Sequence, residues 1–344
     1  MNPLFLILII VISVILLVLL IMYLTVTKFL NSSFNRWEFV EGEELLSYND
    51  VKDKYNRDEY EFLSKKKKLK AYLYKGNNDS LIIYAHGMCP GHQGYLSDII
   101  HLIDLGYNVF TYDFTGTGSS EGKHYCGLNQ QYFDLLKAIS FVKNNHLFGY
   151  KHVHLYGHSM GGYAVACMND PIINSIVSIS GFDSPIEELL SVFGKNQSKM
   201  VIFFVKLMLK MKYFIDFGNK GNLKAHKILK NSNINTLIIQ GNNDELVDYL
   251  HQSIYSKKDL INNEKIKFLL IEDENHNKHN TIIASTECVK YQKPFIDRFN
   301  QALKEGKSNY DAKQEMIKEI DRFKFNVAND ELMDLINDFY QDNQ

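Results

Sequence analysis

The stretch HVHLYGHSMGGYAVA, residues 152–166, decides the fold, because it joins an apolar run to a helical run through a tight, glycine-rich turn. Ser159 lies in that turn, with Gly157 two residues before it and Gly161 two residues after it. In a nucleophile elbow, a serine occupies a sharp turn between a strand and a helix, and small neighbours let the two elements approach each other. The pattern therefore predicts Ser159 as a nucleophile rather than as part of an ordinary helix start.

Short apolar runs alternate with helical stretches on both sides of this turn. The runs are SLIIYA, GYNVFTY, KHVHLY, INSIVSI, INTLIIQ and KIKFLLI. A parallel sheet covered by helices on both faces is typical of this pattern, because its strands are buried on both sides. Sites in such sheets lie at the carboxyl ends of the strands. The residues that follow each run are therefore the candidates for a functional site.

A serine nucleophile needs a base to accept its proton and an acid to orient that base. After INTLIIQ the chain reads GNND, which places Asp244 beyond the next-to-last strand, with Asp248 as an alternative. After KIKFLLI it reads EDENHNKHN, which contains His276 and His279. We favour His276 as the base because it lies nearer to the end of the strand. The predicted order along the chain is then Ser159 as nucleophile, Asp244 as acid and His276 as base. Alpha/beta folds that carry a nucleophile elbow have their three residues in this same order.

The oxyanion that forms during acyl transfer needs backbone N–H donors. Met160, the residue after the nucleophile, supplies one such amide. The second is expected in the loop after SLIIYA, where HGMCPG occupies residues 86–91, and we predict the amide of Met88. Pro90 has no N–H, so Gly87 and Cys89 are the other candidates in this loop.

The segment from Leu4 to Val26 contains no charged side chain. As a helix it extends about 35 Å, which is enough to cross a bilayer core of about 30 Å. A cleavable signal peptide is the alternative, but such a peptide begins with basic residues, and the first basic residue here is Lys28. We predict a membrane anchor at residues 4–27, with the side of the membrane left open, and a polar connector at 28–57 that holds the domain away from the membrane.

The overall composition is that of a globular protein. The 344 residues are 45% hydrophobic and 23% charged, and the formal net charge of −2 gives no general attraction for nucleic acid. The four cysteines are widely spaced without a C-x-x-C motif, so they indicate neither a zinc site nor a disulfide framework. His276 and His279 lack a third ligand at a suitable spacing. We expect neither a metal nor a cofactor.

The motifs YAHGMCPGH, TYDFTGTGSSEG, YGHSMGG, QGNNDELV and DENHN follow one another in this order. Together they closely resemble the alpha/beta-hydrolase superfamily, especially its monoacylglycerol lipases, lysophospholipases and serine aminopeptidase-like hydrolases. The resemblance covers approximately residues 58–304. It implies Ser159 as nucleophile, Asp244 as acid, His276 as base, and the amides of Met88 and Met160 as oxyanion donors. It also implies a mostly parallel central sheet with helices on both faces.

An insertion at residues 182–233 stands where this superfamily places a lid. Its middle, KMVIFFVKLMLKMKYFIDFG, is apolar and interrupted by lysines, which predicts a helix that packs on the core, binds acyl chains or touches the membrane interface. The C-terminal extension, residues 305–344, is outside the resemblance. Its helical spacing of apolar residues predicts two helices packed on the domain.

These features predict a membrane-tethered serine hydrolase that cleaves carboxylic esters, with a lipid or monoacylglycerol-type substrate and no nucleic-acid partner. A serine aminopeptidase-like peptidase stays open as an alternative, because Glu187 and Glu188 are candidates for holding a substrate amine. A catalytically silent scaffold that binds a lipid or a partner at the membrane is the third alternative. The presence of serine, acid and base together argues against the scaffold.

Overall fold

The computed structural model of the chain describes residues 2–145, 149–194 and 197–344. Its strands are β1 (Arg57–Ser64), β2 (Lys67–Tyr74), β3 (Ser80–Ala85), β4 (Asn108–Tyr112), β5 (His152–His158), β6 (Ser175–Ile179), β7 (Asn235–Gly241) and β8 (Ile266–Ile271). Within the described residues, they form one eight-stranded sheet in the order β1-β2-β4-β3-β5-β6-β7-β8. β1 and β2 pair antiparallel with each other and β2 pairs antiparallel with β4, whereas all neighbours from β4 to β8 are parallel.

Helices connect the strands and flank them at both ends of the chain. They are α1 (Pro3–Ser33), α2 (Tyr48–Val51), α3 (Leu96–Asp104), α4 (Gln130–Asn144), α5 (Met160–Ala166), α6 (Pro185–Phe193), α7 (Lys199–Phe217), α8 (Ala225–Leu229), α9 (Lys258–Ile261), α10 (Thr286–Lys304), α11 (Asn309–Ile317), α12 (Arg322–Phe325) and α13 (Asp330–Gln341). Short 3₁₀ turns lie at His92–Tyr95, Gly218–Lys220, Tyr255–Lys257 and Thr281–Ile283.

A hydrophobic core lies on each face of the sheet. Alternate residues of a strand point to opposite faces, and along β3 Leu81 and Ile83 join one core while Ile82 and Tyr84 join the other. Helices α4 and α5 contribute to the first core, and α3 and α13 contribute to the second. This arrangement confirms the predicted parallel sheet covered by helices on both faces.

The N-terminal helix α1 is, among the described residues, the one helix that is long and apolar enough to cross a membrane. Most of its large apolar side chains from Leu4 to Leu24 are exposed in the isolated chain. Its C-terminal end is different, because Leu30 is buried, as is Phe34 just after the helix, and α1 packs against α7 there.

The segment predicted as a connector, residues 28–57, makes contacts with the domain surface. The Arg36 guanidinium donates to the carbonyl oxygens of Ser120 and Gly118 at 2.6 Å and of Gly122 at 3.1 Å. Three carbonyls of the loop after β4 thus hold this polar segment against the domain. Further along, Leu46, Val51 and Tyr55 are buried in the second core.

The C-terminal extension, for which the sequence predicts two helices, forms α11, α12 and α13. In α13, Met333, Ile336 and Tyr340 are fully buried. The hydroxyl of Tyr340 donates to the backbone oxygen of Leu155 in β5 at 2.9 Å. The last helix is therefore part of the core that supports the central strand.

Candidate active site

Ser159 lies directly after β5 and before α5, in a strained backbone conformation with φ 57° and ψ −119°. Positive φ is uncommon for a residue with a side chain and often marks a functional turn. A Cβ atom on Gly157 would overlap the carbonyl oxygen of Gly161, and one on Gly161 would overlap that of Ala85. The two glycines thus let the helix approach the strand, and this turn presents Ser159 at the carboxyl end of the sheet.

His279 is the histidine that contacts the serine. Its Nε2 lies 2.9 Å from Ser159 Oγ, and its Nδ1 lies 2.9 Å from both carboxylate oxygens of Asp244. Because a carboxylate accepts, Nδ1 carries the proton and donates to Asp244, which leaves Nε2 to accept from the serine hydroxyl. The imidazole is 3% exposed, so water has little access to this pair of hydrogen bonds.

Asp244 follows β7 and is held as an ionised acceptor. Burial alone would raise the pKa of Asp244, but the hydrogen bond from His279 and the amides of Val247 and Leu246 lower it below the ordinary value. These amides lie 2.8 and 3.0 Å from Oδ1, and the side-chain amide of Gln240 donates to Oδ2 at 2.9 Å. The carboxylate is thereby fixed in the orientation that the imidazole needs.

The alternative acid, Asp248, lies apart from this constellation. Its carboxylate accepts from the amide of Leu250 at 2.7 Å and contacts the ring of His251 at 3.0 Å. Its side chain is half exposed. The structure therefore brings Asp244, not Asp248, beside the histidine that faces Ser159.

The prediction of His276 as the neighbour of Ser159 is corrected by this geometry. His276 Nε2 contacts the Thr286 hydroxyl at 2.9 Å, and its Nδ1 lies 3.2 Å from the carbonyl of Thr281. These contacts tie the loop after β8 to the start of α10. His279 lies three residues further along the same loop, and it is the histidine that contacts Ser159.

The predicted oxyanion donors lie on the two segments that flank Ser159. Met160 is the first residue of α5, and Met88 follows Gly87 in the loop after β3. A Cβ atom built on Gly87 would come within 3.2 Å of Ser159 Cβ, so this loop passes directly beside the serine. The absence of a Cβ on Gly87 therefore lets this loop approach the serine, and Met88 is the next residue along the loop.

The histidine inside the elbow motif links these segments. His158 is fully buried, its Nε2 donates to the backbone oxygen of His279 at 2.9 Å, and the Tyr95 hydroxyl lies 2.8 Å from its Nδ1. Burial lowers the pKa of His158 to about 3, so the ring is neutral. A backbone hydrogen bond from Gly87 reaches Tyr95 in turn. This role is not predicted from the sequence, where the one signal for it is a histidine between Gly157 and Ser159.

The other polar residues near the site have structural partners. The ring of His86 stacks on Phe114 with centroids 4.5 Å apart, and burial lowers its pKa to about 4. Asp113 accepts from the backbone and ring of His92 and from the amide of Ser119, each at 2.8 Å. In the part of the chain that the structure describes, no group of three His, Cys, Asp or Glu side chains is placed to hold a metal ion.

The fold agrees with the comparisons to known proteins. Residues 76–181 match the family described as Serine aminopeptidase, S33, a range that contains Ser159 but neither Asp244 nor His279. No curated protein matches the chain in sequence.

Among solved structures, the chain is similar to the Pyrococcus furiosus esterase Pf2001, with 18% identity, 79% of this chain and 98% of that one covered, and a TM-score of 0.53. It is also similar to Est1E from Butyrivibrio proteoclasticus, solved with ferulic acid bound, with 17% identity, coverage of 68% and 98%, and a TM-score of 0.45. The chain has the alpha/beta-hydrolase fold, so the resemblance predicted from its motifs is confirmed. Together with the family match, this fold supports a hydrolase.

Proposed function

We propose that the protein is a membrane-tethered serine hydrolase that cleaves carboxylic esters, with lipids of the monoacylglycerol type as substrates. The observation that carries this proposal is the continuous hydrogen-bonded series from Ser159 through His279 to Asp244, with both links at 2.9 Å. A serine on a strained turn, an imidazole with a free acceptor nitrogen and a buried carboxylate form the arrangement that acyl transfer requires.

The reaction follows from these positions. Ser159 Oγ attacks the acyl carbonyl while His279 Nε2 takes the hydroxyl proton, and Asp244 stabilises the imidazolium through Nδ1–H. The imidazolium then gives its proton to the departing alcohol, which leaves an acyl group on the serine. A water molecule attacks this acyl group with His279 again as base, and the serine is regenerated as the carboxylic acid departs.

The amides of Met88 and Met160 are proposed to stabilise the oxyanion in both steps. Loss of a single donor of this kind reduces kcat by a factor of about 10²–10³. The proximity of Gly87 to the Cβ of Ser159 supports Met88, and the start of α5 directly after the serine supports Met160. No cofactor enters any step.

A lipid substrate is supported by apolar surface next to the site-bearing domain. Helix α1 is long and apolar enough to span a bilayer, and α7, within the insertion proposed as a lid, packs against its end. Large apolar side chains of α7 remain exposed, among them Met200, Phe203 and Phe214. Soluble proteins rarely expose a contiguous patch of this kind unless it meets a membrane or a partner.

The peptidase alternative needs a carboxylate to hold a substrate amine. Glu187 is already paired with Lys206 of α7 at 2.7 Å, which favours a role in fixing the two insertion helices. A catalytically silent scaffold does not require a strained backbone at Ser159 or a hydrogen bond from Ser159 to His279. Both features therefore argue against this alternative. We therefore retain the ester hydrolase as the function.

An ester chain-length series tests this proposal. The full-length protein in detergent micelles is assayed on p-nitrophenyl esters of increasing acyl length, on a monoacylglycerol and on an aminoacyl p-nitroanilide, with Ser159→Ala as the control. Ester turnover that rises with acyl length and is lost in the variant supports the proposal. Preferential cleavage of the anilide would favour the peptidase, and no turnover of any substrate by the folded protein would favour the scaffold.

A further inference from the structure

A cavity of about 470 Å³ lies between the C-terminal end of α1 and the helices α6 and α7. Its walls are almost wholly apolar, with Val26 and Phe29 from α1, Leu190 and Phe193 from α6, and Val205 from α7. The rings of Phe29 and Phe193 meet edge to face at a centroid distance of 4.9 Å and join α1 to α6. The volume falls within the range of small-molecule sites, roughly 300–1,000 Å³.

The mostly apolar side chains that line the cavity favour an apolar ligand. A buried water needs two or more polar partners. The polar side chains that line this cavity are those of Thr25 and Gln197, and the Thr25 hydroxyl already donates to the carbonyl of Ile21 at 2.9 Å. A flexible hydrocarbon chain gains from leaving water and needs no polar partner.

The position of the cavity along α1 indicates where that chain comes from. Thr25 follows Leu4 by 21 residues of helix, which is about 32 Å at 1.5 Å per residue and matches a hydrocarbon core of about 30 Å. The cavity therefore begins at the end of the stretch of α1 that is long enough to cross the hydrocarbon core. A bilayer around α1 would bring its acyl chains directly to this opening.

Helix α7, which packs against the end of α1, also exposes apolar side chains. Phe203 and Phe214 on its outer side are 64% and 60% exposed, while Leu209 on its inner side is buried against the core. Lys199 and Lys210 are exposed on the same helix, and long basic side chains reach towards lipid phosphates while their stems stay in apolar surroundings. This combination is typical of a helix that lies in the membrane interface.

We propose that this cavity binds an acyl chain of a bilayer lipid, and that the end of α1 is one wall of the binding site as well as a tether. The proposal rests on the membrane tether included in the proposed function. It assigns Val26 and Phe29 a direct role in lipid binding. Loss of α1 then removes the site itself, not only the attachment of the domain.

Photolabelling of the full-length protein in phosphatidylcholine vesicles tests the site. A fraction of the lipid carries a diazirine on one acyl chain, and labelled residues are located by mass spectrometry. The account predicts labels on the outer surface of α1 and also on cavity residues such as Phe193 and Val205. Val205→Trp, which fills the cavity, is expected to reduce the cavity labels by about tenfold or more, since a filled site excludes the ligand. Leu207→Trp, on the same helix but outside the cavity, keeps them.

The possible failures are distinguishable. Labels on the outer surface of α1 with none in the cavity would overturn the acyl-chain site and leave the tether intact. Cavity labels that persist at full strength in both Val205→Trp and a second filling variant, Leu190→Trp, would also overturn it. An α1 that receives no label would overturn the membrane tether together with the site. Labelling of α1 in each variant serves as the check that the protein is inserted and folded.

Discussion

The imidazole of His158 donates a hydrogen bond to the backbone oxygen of His279 at 2.9 Å, so the residue before the serine holds the loop that carries the proposed base. The Tyr95 hydroxyl, 2.8 Å from Nδ1, fixes the tautomer in which Nε2 is the donor. Burial keeps the pKa of His158 near 3, and the ring therefore stays neutral across the physiological range. The neutral ring of His158 contacts two neutral groups, the Tyr95 hydroxyl and the His279 carbonyl. It can therefore position His279 without adding a charge beside it.

Substitution at His158 is expected to change kcat more than KM. His158→Leu removes the donor to the His279 carbonyl, and we expect kcat to fall about tenfold or more because a small displacement of the base suffices for such a loss. His158→Gln can donate from its side-chain amide to the same carbonyl and should recover part of that loss. Steady-state ester hydrolysis measures both. Equal kcat for the two variants at equal thermal stability would contradict a positioning role.

Asp244 and Asp248 provide a matched pair of acidic substitutions. Asp244→Asn replaces one carboxylate oxygen by an NH2 donor and removes the charge that stabilises the His279 imidazolium, so the ring is no longer held in the reactive tautomer. The expected loss in kcat is about 10³–10⁴-fold. Asp248→Asn should stay within about twofold of wild type, since surface changes away from the site have small effects. Ester hydrolysis at a fixed pH compares them. A larger loss in Asp248→Asn than in Asp244→Asn would reverse the assignment of the acid.

The exposed aromatics of α7 should matter for membrane substrates alone. Replacing Phe203 and Phe214 by serine removes apolar side chains that face outward, so turnover of a long-chain ester embedded in vesicles should fall several-fold, while turnover of a soluble short ester is retained. The matched control is the double replacement of Tyr310 and Phe323, exposed aromatics of the C-terminal extension. Equal losses on both substrates, or an equal loss in the control, would argue against a membrane-facing α7.

The buried carboxyl of Asp98 should make the stability of the fold depend on pH. This effect is independent of the proposed catalytic residues. Burial raises the pKa of Asp98 to about 7, although the hydroxyls of Tyr84 and Tyr156, 2.8 and 3.2 Å from Oδ2, favour the charged form. A raised carboxyl pKa means that the folded state binds the proton more tightly than the unfolded state. The contribution of protonated Asp98 to the free energy of unfolding is therefore greatest below the ordinary pKa of 3.8. It is lost as the pH rises towards 7.

Asp98→Asn carries no charge at any pH and keeps an oxygen that accepts from both tyrosines. The Tm of the variant relative to wild type should consequently rise by several degrees between pH 5 and pH 8. Thermal unfolding across this range measures the difference, with Asp334→Asn on the exposed side of α13 as the control. A constant difference across this pH range would show that Asp98 does not titrate there.

The sequence predicts the central architecture because its signals there are local. The apolar runs of β5, β7 and β8 and the glycines around Ser159 each have one physical explanation, and the structure places the serine at the end of β5 accordingly. Local sequence signals do not decide between His276 and His279. The choice depends on where the loop after β8 turns, and the contacts of His276 with Thr281 and Thr286 that set this turn cannot be read from spacing.

The connector after α1 shows a second limit of sequence reasoning. Its polar composition is typical of a flexible segment, yet Arg36 finds three backbone oxygens in the loop after β4. Such long-range partners are set by the fold around them, so composition predicts a connector here but not the surface that it contacts.

Fluorophosphonate labelling of the full-length protein in detergent micelles tests the central claim most directly, because the probe reacts with a serine only when a base activates it. Wild type, Ser159→Ala, His276→Ala and His279→Ala are compared at equal concentration after their folding is checked by thermal unfolding. The account predicts labelling in wild type and in His276→Ala, and its loss in Ser159→Ala and His279→Ala. Labelling that survives in His279→Ala and disappears in His276→Ala would contradict it.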